Sequence, residues 1–78
     1  MKLLFFAQCA DWMGRRELNL RLPAPARLSN IIDHLKDLEP IRAHRRILKV
    51  AVNREWADFH REVRNGDEVA FMPPFSGG

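Results

Sequence analysis

The spacing of apolar residues changes along this chain, and each change marks an element. Lys2-Leu3-Leu4-Phe5-Phe6-Ala7 is an almost continuous apolar run bounded by polar residues, which predicts a short strand buried on both faces. The period is lost over Gln8 to Gly14, where Gly14 can close a turn. That stretch predicts a loop with one helical turn, in which Trp12 covers an end of the core. From Arg16 to Leu22 the chain alternates: Leu18, Leu20 and Leu22 face one way, Glu17, Asn19 and Arg21 the other. Alternation of this kind predicts a half-buried strand, set antiparallel to the first. Pro23-Ala24-Pro25-Ala26 reads as a loop.

The period then lengthens. Leu28, Ile31, Ile32, Leu35 and Leu38 recur at helical spacing, with Asn30, Asp33, Lys36 and Asp37 off the stripe. One amphipathic helix is predicted, with Arg27 where a capping residue would be expected, Ser29 able to cap one turn later, and Pro40 ending it. Ile47-Leu48-Lys49-Val50-Ala51-Val52 predicts a third strand, Asn53-Arg54 a two-residue turn, and Glu55-Trp56-Ala57 a short fourth strand. Asp58 to Arg64 reads as a polar connector from which Phe59 and Val63 dip into the core. Asn65-Gly66 is a tight turn with a positive φ, and Glu68-Val69-Ala70-Phe71-Met72 is the last strand. The order ββαβββ implies an α+β domain of two layers, a mixed sheet with one main helix on one face. The strand-helix-strand crossover favours placing the first and last strands side by side in the middle. A domain over 1–72 and a flexible tail over 73–78 are expected.

The tail changes the picture most. Pro73-Pro74-Phe75-Ser76-Gly77-Gly78 follows the last strand directly. Two prolines fix φ near −65° and have no N–H to give a sheet, so the backbone should leave the fold as a stiff stalk. Phe75 has no chain beyond it to bury it. Gly77 and Gly78 carry no Cβ, and the stretch from Met72 onward can reach roughly 20 Å. An unhindered α-carboxylate at Gly78 is a poor electrophile until it is adenylated, and then a sulfur or amine nucleophile can attack it. A slim end suits threading into another enzyme's narrow site.

Composition narrows the alternatives. The chain has 78 residues, enough for one domain, and a hydrophobic fraction of 46%, so it is not a disordered polypeptide. Net charge is +3, from 13 basic and 10 acidic residues, which raises the question of nucleic acid. The densest basic stretch, Arg42, Arg45, Arg46 and Lys49 with His44 among them, reads as a solvated loop, because a nucleic-acid site wants aromatics interleaved with the charges. Its single cysteine, Cys9, allows no intrachain disulfide, and nothing near it in sequence suggests the lowered pKa of a relay thiol. His34, His44 and His60 have no metal-ligand spacing, so no metal is expected. The Leu3–Ala7 run is too short for a signal peptide or a membrane span. A cytoplasmic protein with no membrane partner is expected.

No catalytic constellation is visible. Ser-His-Asp and Cys-His arrangements, a phosphate loop and a dinucleotide fingerprint are all missing. Asp67 and Glu68 are adjacent strand residues and point to opposite faces. Asp67 reads as a cap at the entry to the last strand.

Gly66-Asp67-Glu68-Val69-Ala70, Phe71-Met72 and the whole Pro73–Gly78 tail resemble the end of the small subunit of molybdopterin synthase, a ubiquitin-like sulfur carrier. Phe5-Phe6-Ala7 resembles that family's first strand, and Val50-Ala51-Val52-Asn53 its third strand and following turn. The resemblance covers essentially the whole chain. It implies a β-grasp fold. It also implies that Gly78 is the reacting residue, adenylated at the expense of ATP by an E1-like activating enzyme, converted to a thiocarboxylate by a sulfur donor protein, and presented to the molybdopterin synthase large subunit. There two such sulfurs build the dithiolene of molybdopterin, in a heterotetramer, and the large subunit supplies the catalytic side chains. The small subunit binds no cofactor. Pro73, Pro74, Phe75, Ser76 and Gly77 would present the terminus, with Phe75 in an apolar groove of the partner. Position 75 is commonly Val in that family, so Phe75 implies that the partner groove is wider or has coevolved with it. The basic loop around Arg45 is not carried over from the family. Rival readings are a sulfur carrier of thiamine biosynthesis, a ubiquitin-like protein modifier joined through Gly78 to lysines, and a basic nucleic-acid-binding module, which leaves the tail unexplained.

Overall fold

Residues 1–74 are described by the computed structural model, in which a five-stranded mixed sheet carries helices on one face. The strands are β1 (Lys2–Phe5), β2 (Glu17–Asn19), β4 (Lys49–Val52), β5 (Glu55–Ala57) and β7 (Glu68–Met72), in the spatial order β2-β1-β7-β4-β5. A separate two-stranded ribbon pairs β3 (Ala26–Arg27) with β6 (Glu62–Val63). Helix α1 (Gln8–Met13) joins β1 to β2, and α2 (Leu28–His34) and α3 (Glu39–His44) lie between β3 and β4. This is the β-grasp arrangement expected from the sequence, with the first and last strands paired in the middle.

β1 runs parallel to β7, with Leu3 opposite Val69 and Phe5 opposite Phe71. β2 is antiparallel to β1, and β4 is antiparallel to both β7 and β5. The core lies between sheet and helices: Leu3, Phe5, Val50, Val52, Val69 and Phe71 from the strands meet Leu28, Ile32, Leu38 and Ile41 from the other side. Phe5 and Phe71 stack with ring centroids 5.7 Å apart. Each of the paired strands β1 and β7 buries alternate residues only.

Several expectations are corrected here. β1 is not buried on both faces: it ends at Phe5, Leu4 is half-buried and Phe6 is 48% exposed. Alternate residues of β1 project from the face that carries no helix, so an apolar run did not mean two covered faces. The loop after β1 is a helix, α1, closed by Gly14 at φ 70°. β2 is three residues long and shorter than expected, and Leu20 and Leu22 are half-buried beyond its end.

The single predicted helix is two. α2 stops at His34, a 3₁₀ turn covers Lys36–Leu38, and α3 begins at Glu39 with Pro40 in its first turn. Proline is tolerated there because its missing N–H has no helical partner anyway. Pro40 therefore starts a helix. The apolar stripe survives the break, and Leu38 and Ile41 are both fully buried. Ser29 does not cap α2 through its side chain. The first N–H groups are taken by backbone instead: Leu28 donates to Arg61 O at 2.9 Å and Ser29 to Phe59 O at 2.7 Å. Those carbonyls belong to the connector that carries Phe59 and Val63, and Val63 is fully buried in β6.

Arg42 to Lys49 is not a loop. Arg42 and His44 lie on α3, Arg45–Ile47 is a 3₁₀ turn, and Lys49 opens β4. Ile47, expected in the third strand, is 50% exposed. Trp12 is half-buried and lies flat on the His44 ring, with centroids 3.7 Å apart and planes 7° from parallel. His44 Nδ1 is 2.8 Å from Pro40 O, which orients the ring under the indole. Trp12 thus covers an end of the helical layer, as its size suggested. No helix among the described residues is long and apolar enough to cross a membrane.

Candidate functional site

β7 is the strand that delivers the tail. Its alternation puts Val69 and Phe71 into the core, and Glu68, Ala70 and Met72 on the other face. It is paired on both sides, to β1 and to β4, and Met72 lies opposite Lys49 at the end of the ladder. Pro73 follows half-buried and Pro74 exposed, both outside any strand. Neither can donate to a ladder, so the sheet ends where the sequence says it must. Phe75, Ser76, Gly77 and Gly78 lie outside the described residues.

Strain sits beside this exit. Phe6 donates its N–H to Phe71 O at 3.1 Å, which ties the end of β1 to the end of β7. The next residue, Ala7, has φ 50° and ψ −126°. That region suits glycine, and a residue with a Cβ held there costs about 1–3 kcal/mol. The turn aims Phe6 outward and starts α1 at once, with Cys9 N–H donating to Phe6 O at 2.9 Å. Replacing Ala7→Gly should raise stability by about 1 kcal/mol, read as a higher urea midpoint, because the steric penalty outweighs the added chain entropy. A lower midpoint would show that the strain is illusory.

The other end of β7 is held by a side-chain clasp. Asn53 and Arg54 form the β4–β5 turn with φ values of 51° and 68°, as the two-residue spacing predicted. Asn53 Nδ2 donates to Asp67 Oδ1 at 3.0 Å, and Asn53 Oδ1 accepts the Glu68 N–H at 3.0 Å. Asp67 Oδ2 accepts the Arg64 N–H at 3.0 Å across the turn that Gly66 closes at φ 96°. Asp67 is therefore the cap expected at the entry to the last strand. The Asn53 amide chiefly holds its carboxyl below the usual value of 3.8; burial opposes this, and the Arg64 N–H and the charges of Arg64 and Arg61 add to the lowering. A lowered folded pKa stabilises the fold fully above the ordinary value, and that contribution is lost as pH falls through the folded value. Asp67→Asn should thus remove part of the acid limb of a stability-pH curve while leaving its slope near neutrality unchanged.

The face of the sheet away from the helices is partly apolar. Pairing places Glu17, Leu4, Ala70, Ala51 and Trp56 in one row across the five strands. Trp56 is 66% exposed, and Lys49 Nζ sits 5.7 Å from its ring centroid. Ala70 and Ala51 stand between Leu4 and Trp56 in that row, and Met72 follows Ala70 on the same face of β7. An open cleft of about 690 Å³ lies at the other edge, lined by Leu4, Phe6, Ala7, Asp11, Arg16 and Glu17.

The titratable groups do not converge. Cys9 is fully buried, and burial pushes its thiol up to about 11, so it is not held as a thiolate. Among the described residues, no group of His, Cys, Asp and Glu could hold a metal ion. Asp67 is spent on the turn.

Sequence reasoning missed Phe6, Ala7 and Trp56. Trp56 was within reach: a two-residue turn at 53–54 sets Val52 opposite Glu55 and Ala51 opposite Trp56, so Trp56 must share the face that Val50 and Val52 avoid. For Ala7 there was no signal, since alanine is the wrong residue for its backbone.

Comparison with known proteins follows the same lines. The ThiS family profile matches residues 3–78. The molybdopterin synthase sulfur carrier subunit of Arabidopsis thaliana is 30% identical over 82 residues, covering 100% of this chain and 82% of that protein. Its counterpart in Escherichia coli (strain K12) is 32% identical over 80 residues, covering 100% of this chain and 99% of that one. The crystal structure of SAMP1 from Haloferax volcanii superposes with a TM-score of 0.78 at 26% identity, covering 100% of this chain and 98% of that one.

Proposed function

The chain belongs to the ThiS family, alongside the molybdopterin synthase sulfur carrier subunits, and on that footing we propose that it carries sulfur as a thiocarboxylate on Gly78. The observation that carries this reading is the course of β7. A doubly paired central strand runs straight into Pro73-Pro74, which join no strand, and a terminus that leaves the sheet there suits presentation to a partner.

The chemistry lies at the terminus. A Gly78 carboxylate oxygen attacks the α-phosphorus of ATP in an E1-like activating enzyme, and pyrophosphate leaves. A persulfide on the donor protein then attacks the acyl carbon and AMP leaves, and a thiol cleaves the S–S bond of the resulting acyl persulfide, which leaves the thiocarboxylate on Gly78 and a disulfide on the donor. In the molybdopterin synthase large subunit that sulfur passes to the pterin precursor, and water returns the carboxylate. The chain acts as a rechargeable reagent, in a heterotetramer built on a dimer of large subunits. Pro73 and Pro74 stiffen the approach, Phe75 fills an apolar groove, and Ser76 and Gly77 keep the tip narrow. The row from Leu4 to Trp56, with Met72, offers the apolar part of the docking face, and Lys49 and Glu68 its charges.

The test is the intact mass of the protein after incubation with ATP, an activating enzyme and a sulfur donor. Replacement of one oxygen by sulfur at Gly78 is expected. A mass that never changes with any of several activating enzymes would sink the reading.

A second reading is favoured by the likeness to SAMP1, a small archaeal modifier protein. The same adenylated terminus would pass to a lysine amine and form an isopeptide bond. Higher-mass conjugates in cell extract that vanish when Gly78 is deleted are its signature.

A further inference from the structure

The arginines on the helical side remain once the carrier chemistry has taken what it uses. Arg42 holds the fold together: its guanidinium donates to Ile32 O at 2.7 Å and to Asp33 O at 3.4 Å, closing the end of α2 onto α3. The 3₁₀ turn that continues α3 then presents Arg45 and Arg46 from anchored backbone. Arg27 on β3 and Arg61 just before β6 tie the ribbon and its connector to the start of α2. Arg27 donates to His60 O at 3.5 Å, and the Arg61 carbonyl accepts the Leu28 N–H.

Beside Arg45 and Arg46 lies an open groove of about 590 Å³, lined also by Ser29, Asp33, Leu48, Phe59 and His60. One carboxylate reaches it, that of Asp33, and Arg45 holds it at 2.7 Å. Arg46 makes no hydrogen bond or ion pair among the described residues and is exposed. Gathering like charges on so small a domain costs stability through self-repulsion, and Arg46 returns nothing to the fold. The Arg45–Asp33 pair already shows an arginine of this wall engaging a carboxylate. The floor is apolar, which a free anion does not use.

We propose that this groove is a docking surface for an acidic segment of a partner protein, a carboxylate of it on Arg46 and an apolar side chain over Leu48 and Phe59. Nucleic acid fits less well. It wants bases stacked on open aromatic faces along a line of charge; Phe59 is half-buried, and the exposed indole of Trp56 does not line this groove.

The whole chain, labelled with ¹⁵N, is titrated with a short blocked peptide of Glu, Asp and Leu. Amide shifts centred on Ser29, Arg46 and His60 are expected, and the affinity should fall with added salt. Arg46→Glu should weaken binding about tenfold, the scale reached by a close interfacial charge pair. Arg46→Gln, which disturbs no contact, should fall between. A peptide with Ser in place of Leu should bind more weakly. Shifts absent from the groove, indifferent to Arg46→Glu, or matched by an oligouridylate of equal length would each overturn the proposal. The readout needs no sulfur transfer, so it stands or falls apart from the carrier reading.

Discussion

A chain lengthened by one residue after Gly78 is expected to fold normally and to transfer no sulfur. The extra residue leaves a terminal carboxylate but moves it by about 3.3–3.6 Å along an extended backbone. Misplacement of about 1 Å at a reacting centre already costs roughly 10²-fold in rate, so thiocarboxylate formation should fall to background. Deleting Gly78 should do the same from the other direction. Both changes lie beyond the last ladder pair at Met72, so urea midpoints should match the parent protein. Sulfur transfer by the extended chain, with intact mass proving that it was not trimmed, would defeat the carrier reading.

Phe71→Ala is expected to be the most damaging change to the fold. Phe71 is fully buried, stacks on Phe5 at 5.7 Å and pairs in register with both β1 and β4. Truncating a buried Phe costs about 3–5 kcal/mol. Domains hold roughly 0.05–0.15 kcal/mol per residue, so a chain this short has little beyond that to lose. The variant should be largely unfolded at physiological temperature, seen as lost near-UV dichroism and a urea transition shifted to the baseline. A conservative Phe71→Leu should recover much of the loss, since it refills most of the volume. A stable Phe71→Ala chain would mean that the Phe5 ring closes the cavity alone.

The parts of this fold legible in the sequence are those with local causes. The β4–β5 turn was fixed by Asn53-Arg54, the entry to β7 by Asn65-Gly66, and the end of β7 by two prolines. The helical layer was legible as a stripe but not as two helices, because Leu38 and Ile41 keep the spacing through a 3₁₀ break, and Pro40 reads the same at a helix start as after a helix end. The β3–β6 ribbon left no trace: two paired residues, Ala26 opposite Val63 and Arg27 opposite Glu62, are too few for a period, and the connector beside them feeds carbonyls to the start of α2. At the site, Pro73 and Pro74 follow the last strand without joining it, as their missing N–H requires. The exposed Trp56 and the strained Ala7 were not anticipated, since one depends on register and the other on a backbone that its own residue type disfavours.

The parallel pairing of β1 with β7 has a mechanical side. A partner that draws in the tail pulls along the axis of β7. The ladders to β1 and β4 then resist in shear, with their hydrogen bonds strained together instead of one after another as at a peeling edge. On the carrier reading, tension on the last residues would be spread over both neighbouring strands before reaching the core, so loading and unloading of the terminus would not pull the domain apart.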